Sequence, residues 1–205
     1  MTTSESIGST ERSPLLMARN NTALLVVDVQ EKLAPAIIES DRLVWNIGRL
    51  VEGAQKLGIP IAVTEQYPKG LGTTVPELSQ LVSDGTIYEK RMFSLRECSE
   101  LIDSLTNKNI KNVLLAGIET HVCVMQSALD LMGCGFDVFV CIDAVSSRHE
   151  EDDMTAMQRL ETSGATLVTT EMALFEWCET SKADEFKNIS RIVQRVFPGD
   201  EEMED

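Results

Sequence analysis

The chain has 205 residues, 43% of them hydrophobic and 25% charged, enough for one globular domain with a full core. Its formal net charge is −15, so polyanions such as nucleic acids and anionic membrane surfaces are repelled rather than attracted. No stretch approaches the roughly 20 apolar residues that a membrane-spanning helix needs.

Residues 1–20 are rich in Ser and Thr, carry Glu5 and Glu11, and lack the apolar segment of a secretory signal. They are predicted to form a flexible arm. Arg12 and Arg19 are too few for a mitochondrial presequence, so a cytoplasmic location is expected, with the mitochondrion as the alternative. Residues 23–28 (ALLVVD) form a near-continuous apolar run, as in a strand covered on both faces. Residues 41–57 place Leu43, Val44, Ile47, Leu50, Val51, Ala54 and Leu57 on one helical face, with Gly58 as a stop. Residues 60–65 read as a second strand and 86–89 as a weaker third. A helix over 97–106 precedes a fourth strand at 112–116. A helix over 121–133 precedes a fifth strand at 137–143. A helix over 149–163, a sixth strand at 165–169 and helices at 171–178 and 182–195 complete the chain. Strands alternating with helices imply an α/β fold of three α/β/α layers around a six-stranded parallel sheet with right-handed crossovers. One domain is expected over 21–197, followed by a solvated acidic tail at 198–205.

Ligands of such sheets bind beyond the C-terminal strand ends. Asp28 ends the first strand, Lys90 follows the third, and Cys123 follows the fourth in what reads as the first turn of a helix. Unpaired backbone N–H groups and the positive end of the macrodipole there favour a thiolate, so a lowered thiol pKa is expected. They also offer donors to an oxyanion. Each residue has a plainer reading: a loop carboxylate, a solvated lysine, a core thiol. Together, an acid, a base and a thiol at three strand ends could converge on one nucleophile. Gln66, Tyr67 and Phe93 could line a pocket, although Phe93 reads equally as a core aromatic. Thr120 reads as a helix cap. Arg148 suits either an acidic substrate or a carboxylate partner.

The chain has five cysteines, no CxxC and only His121 and His149 as histidines. This is the usage of free thiols rather than of a disulfide framework, and no zinc site, other metal site or cofactor motif is expected.

LLVVDVQEKL around Asp28, YEKRMFSL around Lys90 and AGIETHVCV around Cys123 together resemble the isochorismatase-like hydrolases. VTEQYPKGLGTTVPEL and DAVSSR add to the likeness, which covers residues 22–170 and is strongest to the isochorismatase-domain-containing subgroup. The resemblance implies strand order 3-2-1-4-5-6 and an Asp28–Lys90–Cys123 triad. It also implies a non-proline cis peptide at Ile118–Glu119, which presents backbone N–H groups near Glu119 and Cys123 to an oxyanion. The implied reaction is covalent thiol hydrolysis of a small amide, imide or ester. The histidines that bind metal in nicotinamidase relatives have no counterpart in TEQYPKGLG. A small-molecule substrate and a homo-oligomer are expected, with no nucleic acid and no membrane partner. The alternative is a catalytically silent member that works by binding or assembly.

Overall fold

The computed structural model describes residues 12–200. Six strands form one sheet: β1 (Thr22–Val27), β2 (Ile61–Gln66), β3 (Ile87–Lys90), β4 (Asn112–Ile118), β5 (Asp137–Ser146) and β6 (Thr166–Val168). Their order is β3-β2-β1-β4-β5-β6 and every pairing is parallel, as expected. Six helices of eight residues or more cover it: α1 (Ser40–Leu57), α2 (Ser99–Asn107), α3 (Met125–Gly133), α4 (Glu150–Thr162), α5 (Thr170–Cys178) and α6 (Phe186–Val193).

The pleat of β1 explains the three layers. Leu24 and Val26 point into a core with Ile47 and Leu50 of α1, Leu174 and Trp177 of α5, and Ile189 of α6. Ala23, Leu25 and Val27 point into a second core with Leu101 and Leu105 of α2, Leu131 of α3 and Leu160 of α4. With both faces covered, β1 is buried along its whole length. Each such Leu or Val stabilises the fold by roughly 1.5–3 kcal/mol, so polar side chains are excluded between Thr22 and Asp28.

Helix α1 ends where Gly58 adopts φ 71°, and Ile59 N–H donates back to the Ala54 carbonyl, closing a Schellman turn. The helix expected over 182–195 is shorter, running from Phe186 to Val193 with Phe186, Ile189, Ile192 and Val193 as its apolar stripe on the core. Residues 1–11 of the expected arm lie outside the described residues. Within its remainder, Met17 is fully buried, and Arg12 donates to the carbonyls of Met17 and Glu176. Of the expected acidic tail, residues 201–205 lie outside the described residues, and Asp200 pairs with Arg42. No described helix is long and apolar enough to cross a membrane.

Two irregularities lie at the C-terminal edge of the central strands. Gly117 has φ 121°, and a Cβ there would stand 2.1 Å from the Val27 carbonyl oxygen. Only glycine lets β4 approach β1 this closely just before Asp28. Beside it, the β4–β5 register jumps from Leu115↔Val140 to Gly117↔Val145, so β5 bulges around residues 141–144. Bulges of this kind re-aim the chain, here carrying residues 146–148 toward the end of β4.

Candidate active site

The register delivers the polar groups. Val27 lies beside Thr64 of β2 and Gly117 of β4, and Gln66 lies beside Lys90 of β3. Asp28 therefore leaves β1 between the ends of β2 and β4, and adopts φ 53°. Its Oδ1 accepts from Thr64 Oγ1 at 2.7 Å, and its Oδ2 accepts from Lys90 Nζ at 2.6 Å. Both side chains of this ion pair have 0% exposure. Lys90 Nζ also donates to Gln66 Oε1 at 3.0 Å, the Phe93 carbonyl at 2.9 Å and the Met92 carbonyl at 3.2 Å. Four acceptors for three N–H bonds hold the ammonium rigidly and satisfy its charge.

Strand β4 ends in a cis Ile118–Glu119 peptide. The helix that follows starts wide. Val124 N–H reaches the Glu119 carbonyl and Met125 N–H reaches that of Thr120, each five residues back, so 120–124 is a π turn and α3 begins at Met125. Such turns occur often at functional sites. Cys123 sits in this turn, 6% exposed, beside Asp28.

The environment reverses the expectation for the thiol. Burial pushes the Cys123 pKa far up, and the Asp28 carboxylate pushes it further, outweighing the pull of Lys90. Desolvation and a like charge both disfavour the thiolate, and a terminal dipole is too weak to reverse them. The resting group is a neutral thiol facing a carboxylate.

Around this centre, Gln66 bridges Lys90 to the Arg91 carbonyl. The Tyr67 ring lies 3.7 Å under the Arg91 guanidinium and is 40% exposed. Phe93 is 51% exposed, so it is not a core aromatic. Ile118 is fully buried. Glu119 accepts from the Arg148 backbone N–H at 3.1 Å and from its Nε at 3.0 Å, which satisfies the carboxylate reading of Arg148. His121 Nδ1 lies 3.0 Å from Ser147 Oγ, so its ring is engaged away from Cys123. Thr120 does not cap the helix: Glu119 holds that position, and Thr120 Oγ1 is buried without a partner among the described residues.

Sequence reasoning alone misses Thr64, Ser147 and the carbonyls of Met92 and Phe93. Only Thr64 carries a sequence signal, since it lies two residues before Gln66 on the same face of β2. Among the described residues, no three His, Cys, Asp or Glu side chains gather as metal ligands. A separate groove of about 1090 Å³ lies between α1 and residues 195–198, with Trp45 and Phe197 in its wall and none of the three central residues.

A sequence model of the isochorismatase domain matches residues 22–172. The isochorismatase domain-containing protein 2 of Xenopus laevis is 37% identical over 184 residues, covering 89% of this chain and 88% of that protein. A solved structure described as the MAR1 ribonuclease of Caenorhabditis elegans is 39% identical, with TM-score 0.83, over 89% of this chain and 94% of that one. The YcaC protein of Escherichia coli, described as an octameric hydrolase of unknown specificity, is 25% identical, with TM-score 0.84, over 94% of this chain and 96% of that one.

Proposed function

The chain belongs to the isochorismatase family, and from that premise we propose that it is a hydrolase with Cys123 as nucleophile, acting on a small amide, imide or ester. One observation carries the reading: a thiol faces a fully buried carboxylate–ammonium pair at the ends of β1, β3 and β4. A buried ion pair is a poor device for stability alone, because desolvation offsets much of its attraction. Its position beside a thiol points to proton transfer.

In the proposed reaction, Asp28 takes the Cys123 proton as the sulfur attacks the acyl carbon. Backbone N–H groups of the turn at Glu119 and Cys123 receive the oxyanion, a contribution worth about 10²–10³ in rate per donor in comparable sites. The C–N or C–O bond then breaks, and Asp28 returns the proton to the leaving group. A thioester remains on Cys123. Asp28 next draws a proton from water, the water adds to the thioester, and the acid leaves as the thiol is restored. Lys90 stays charged and orients Asp28 throughout. The side chains present suffice for these steps without a metal. Gln66, Tyr67 and Phe93 border the entrance. The octameric relative favours homo-oligomerisation here too, and five free thiols favour a cytoplasmic location.

The test is turnover of a panel of small amides and esters. Wild type should hydrolyse at least one, and Cys123→Ala and Asp28→Asn should lose at least about 10³-fold in kcat while remaining folded. Full cellular function in Cys123→Ala would instead establish the silent, binding-only alternative. The relative described as a ribonuclease raises RNA as a second substrate. A net charge of −15 opposes it, and Cys123-dependent cleavage of RNA would decide in its favour.

A further inference from the structure

Resting on that reading, we propose that the site selects an uncharged acyl substrate and rejects one bearing a carboxylate next to the scissile bond. Backbone N–H groups can receive one oxyanion here, but a full carboxylate taken out of water beside Asp28 is held best by a cation with free N–H groups aimed into the site. Of the cationic side chains around the site, Lys90 and Arg148 are already committed. Lys90 Nζ has four acceptors, at 2.6, 2.9, 3.0 and 3.2 Å, and none of its three protons is left for a ligand. Arg148 is held by Glu119 through its Nε and its backbone N–H. Arg91 has no carboxylate partner among the described ion pairs. Its guanidinium, however, lies on the outer Tyr67 ring in solvent, where screening leaves it little influence on a buried centre.

What remains beside the thiol is Asp28, whose charge is balanced by Lys90 with nothing in excess. A substrate carboxylate would enter a closed, low-dielectric site unpaired and next to a fixed anion. The residues flanking the Lys90 anchor fit the same class. Met92 and Phe93 turn their carbonyls inward to the ammonium, and as residues are 42% and 51% exposed. They offer an entering molecule apolar surface instead of charge.

Iodoacetamide and iodoacetate form the matched pair for the test, since they are nearly the same size and differ by one charge. The native protein is alkylated with each in turn, and the rates at Cys123 and Cys134 are read by mass spectrometry. Cys134 is exposed on the same chain and serves as the internal reference for the general repulsion of anions. The amide-to-acid rate ratio at Cys123 should exceed that at Cys134 about ten-fold. A ratio less than three-fold above that of Cys134, with Cys123 reactive, overturns the charge selection and leaves the hydrolase standing. A Cys123 inert to both reagents while Cys134 reacts removes the nucleophile itself, and both readings fall. Arg91→Gln should leave the Cys123 ratio unchanged, and a ratio that rises in this variant would show that Arg91 admits anions and would also overturn the inference.

Discussion

Replacing Lys90 by Met should cost far more stability than a surface lysine does, and a second substitution should restore most of the loss. The wild-type pair is closed at 2.6 Å with both side chains at 0% exposure. Lys90→Met leaves the Asp28 carboxylate buried with Thr64 Oγ1 and the weakly donating Cys123 thiol as its remaining side-chain donors. Breaking a buried pair from one side costs about 3–5 kcal/mol, because an uncompensated charge stays behind. The other acceptors add little. The carbonyls of Met92 and Phe93 belong to exposed residues and can turn to water. The expected loss is therefore about 3–5 kcal/mol, a large share of the roughly 5–15 kcal/mol that holds a domain together. In Asp28→Asn with Lys90→Met no charge is buried, so the double variant should be more stable than Lys90→Met alone, with a coupling of about 2 kcal/mol or more. Urea unfolding of wild type, both single variants and the double variant measures this. A cost under about 1 kcal/mol for Lys90→Met, or additivity within about 0.5 kcal/mol, would refute the buried-charge account.

Two further predictions concern the surroundings of the pair. Gly117→Ala places a Cβ against the Val27 backbone at a φ that L-residues rarely adopt, so it should destabilise by about 3–5 kcal/mol and slow Cys123 alkylation. Unfolding within about 1 kcal/mol of wild type would mean that β4 can shift without cost. Burial first of all raises the thiol pKa values of Cys98, Cys123, Cys141 and Cys178. A raised folded pKa gives stability that is complete below the unfolded value of about 8.5 and is lost as pH rises beyond it. The Tm should hold from about pH 7 to 8 and fall from about pH 8.5 to 9.5, with a shallower fall in Cys123→Ala. A level Tm across that window would contradict the raised values.

The parallel sheet was legible because its strands are covered on both faces, and a near-continuous apolar run as short as 23–27 is the mark of a buried strand. Strand order came from family likeness, not from periodicity. The positions of Asp28 and Lys90 were legible for a related reason: a charged residue closing an apolar run marks where the chain leaves the core. Their mutual contact was legible only through the family likeness, since 62 residues separate them and only the β1–β2–β3 register joins them. The bulge in β5 was invisible because residues 141–143 still read as regular strand. The thiol environment misled most. A helix terminus is a local feature that sequence displays. The burial and like charge that outweigh it depend on where residues 28, 90 and 123 meet, which no window of sequence contains.

That raised thiol pKa and the proposed nucleophile are consistent once the proton's destination is counted. Forming a thiolate beside an ionised Asp28 would put two like charges in one closed site. At an effective dielectric of about 20, charges about 4 Å apart repel by about 4 kcal/mol, equivalent to roughly three pKa units. Passing the proton to Asp28 removes that repulsion in the same step. Before transfer the centre holds one carboxylate and one ammonium; afterwards it holds one thiolate and the same ammonium. The net charge is unchanged, and Lys90 attracts whichever anion is present. A high thiol pKa measured against an ionised Asp28 therefore describes the resting pair and not the barrier to attack, because the two groups titrate as a unit. The same coupling keeps the thiol neutral until an electrophile arrives. Asp28→Asn separates the two quantities. It removes the like charge, so the Cys123 pKa should fall, and it removes the proton acceptor, so turnover should fall as well. A variant in which the thiol became easier to ionise and turnover rose would show that charge, not proton transfer, is what Asp28 supplies.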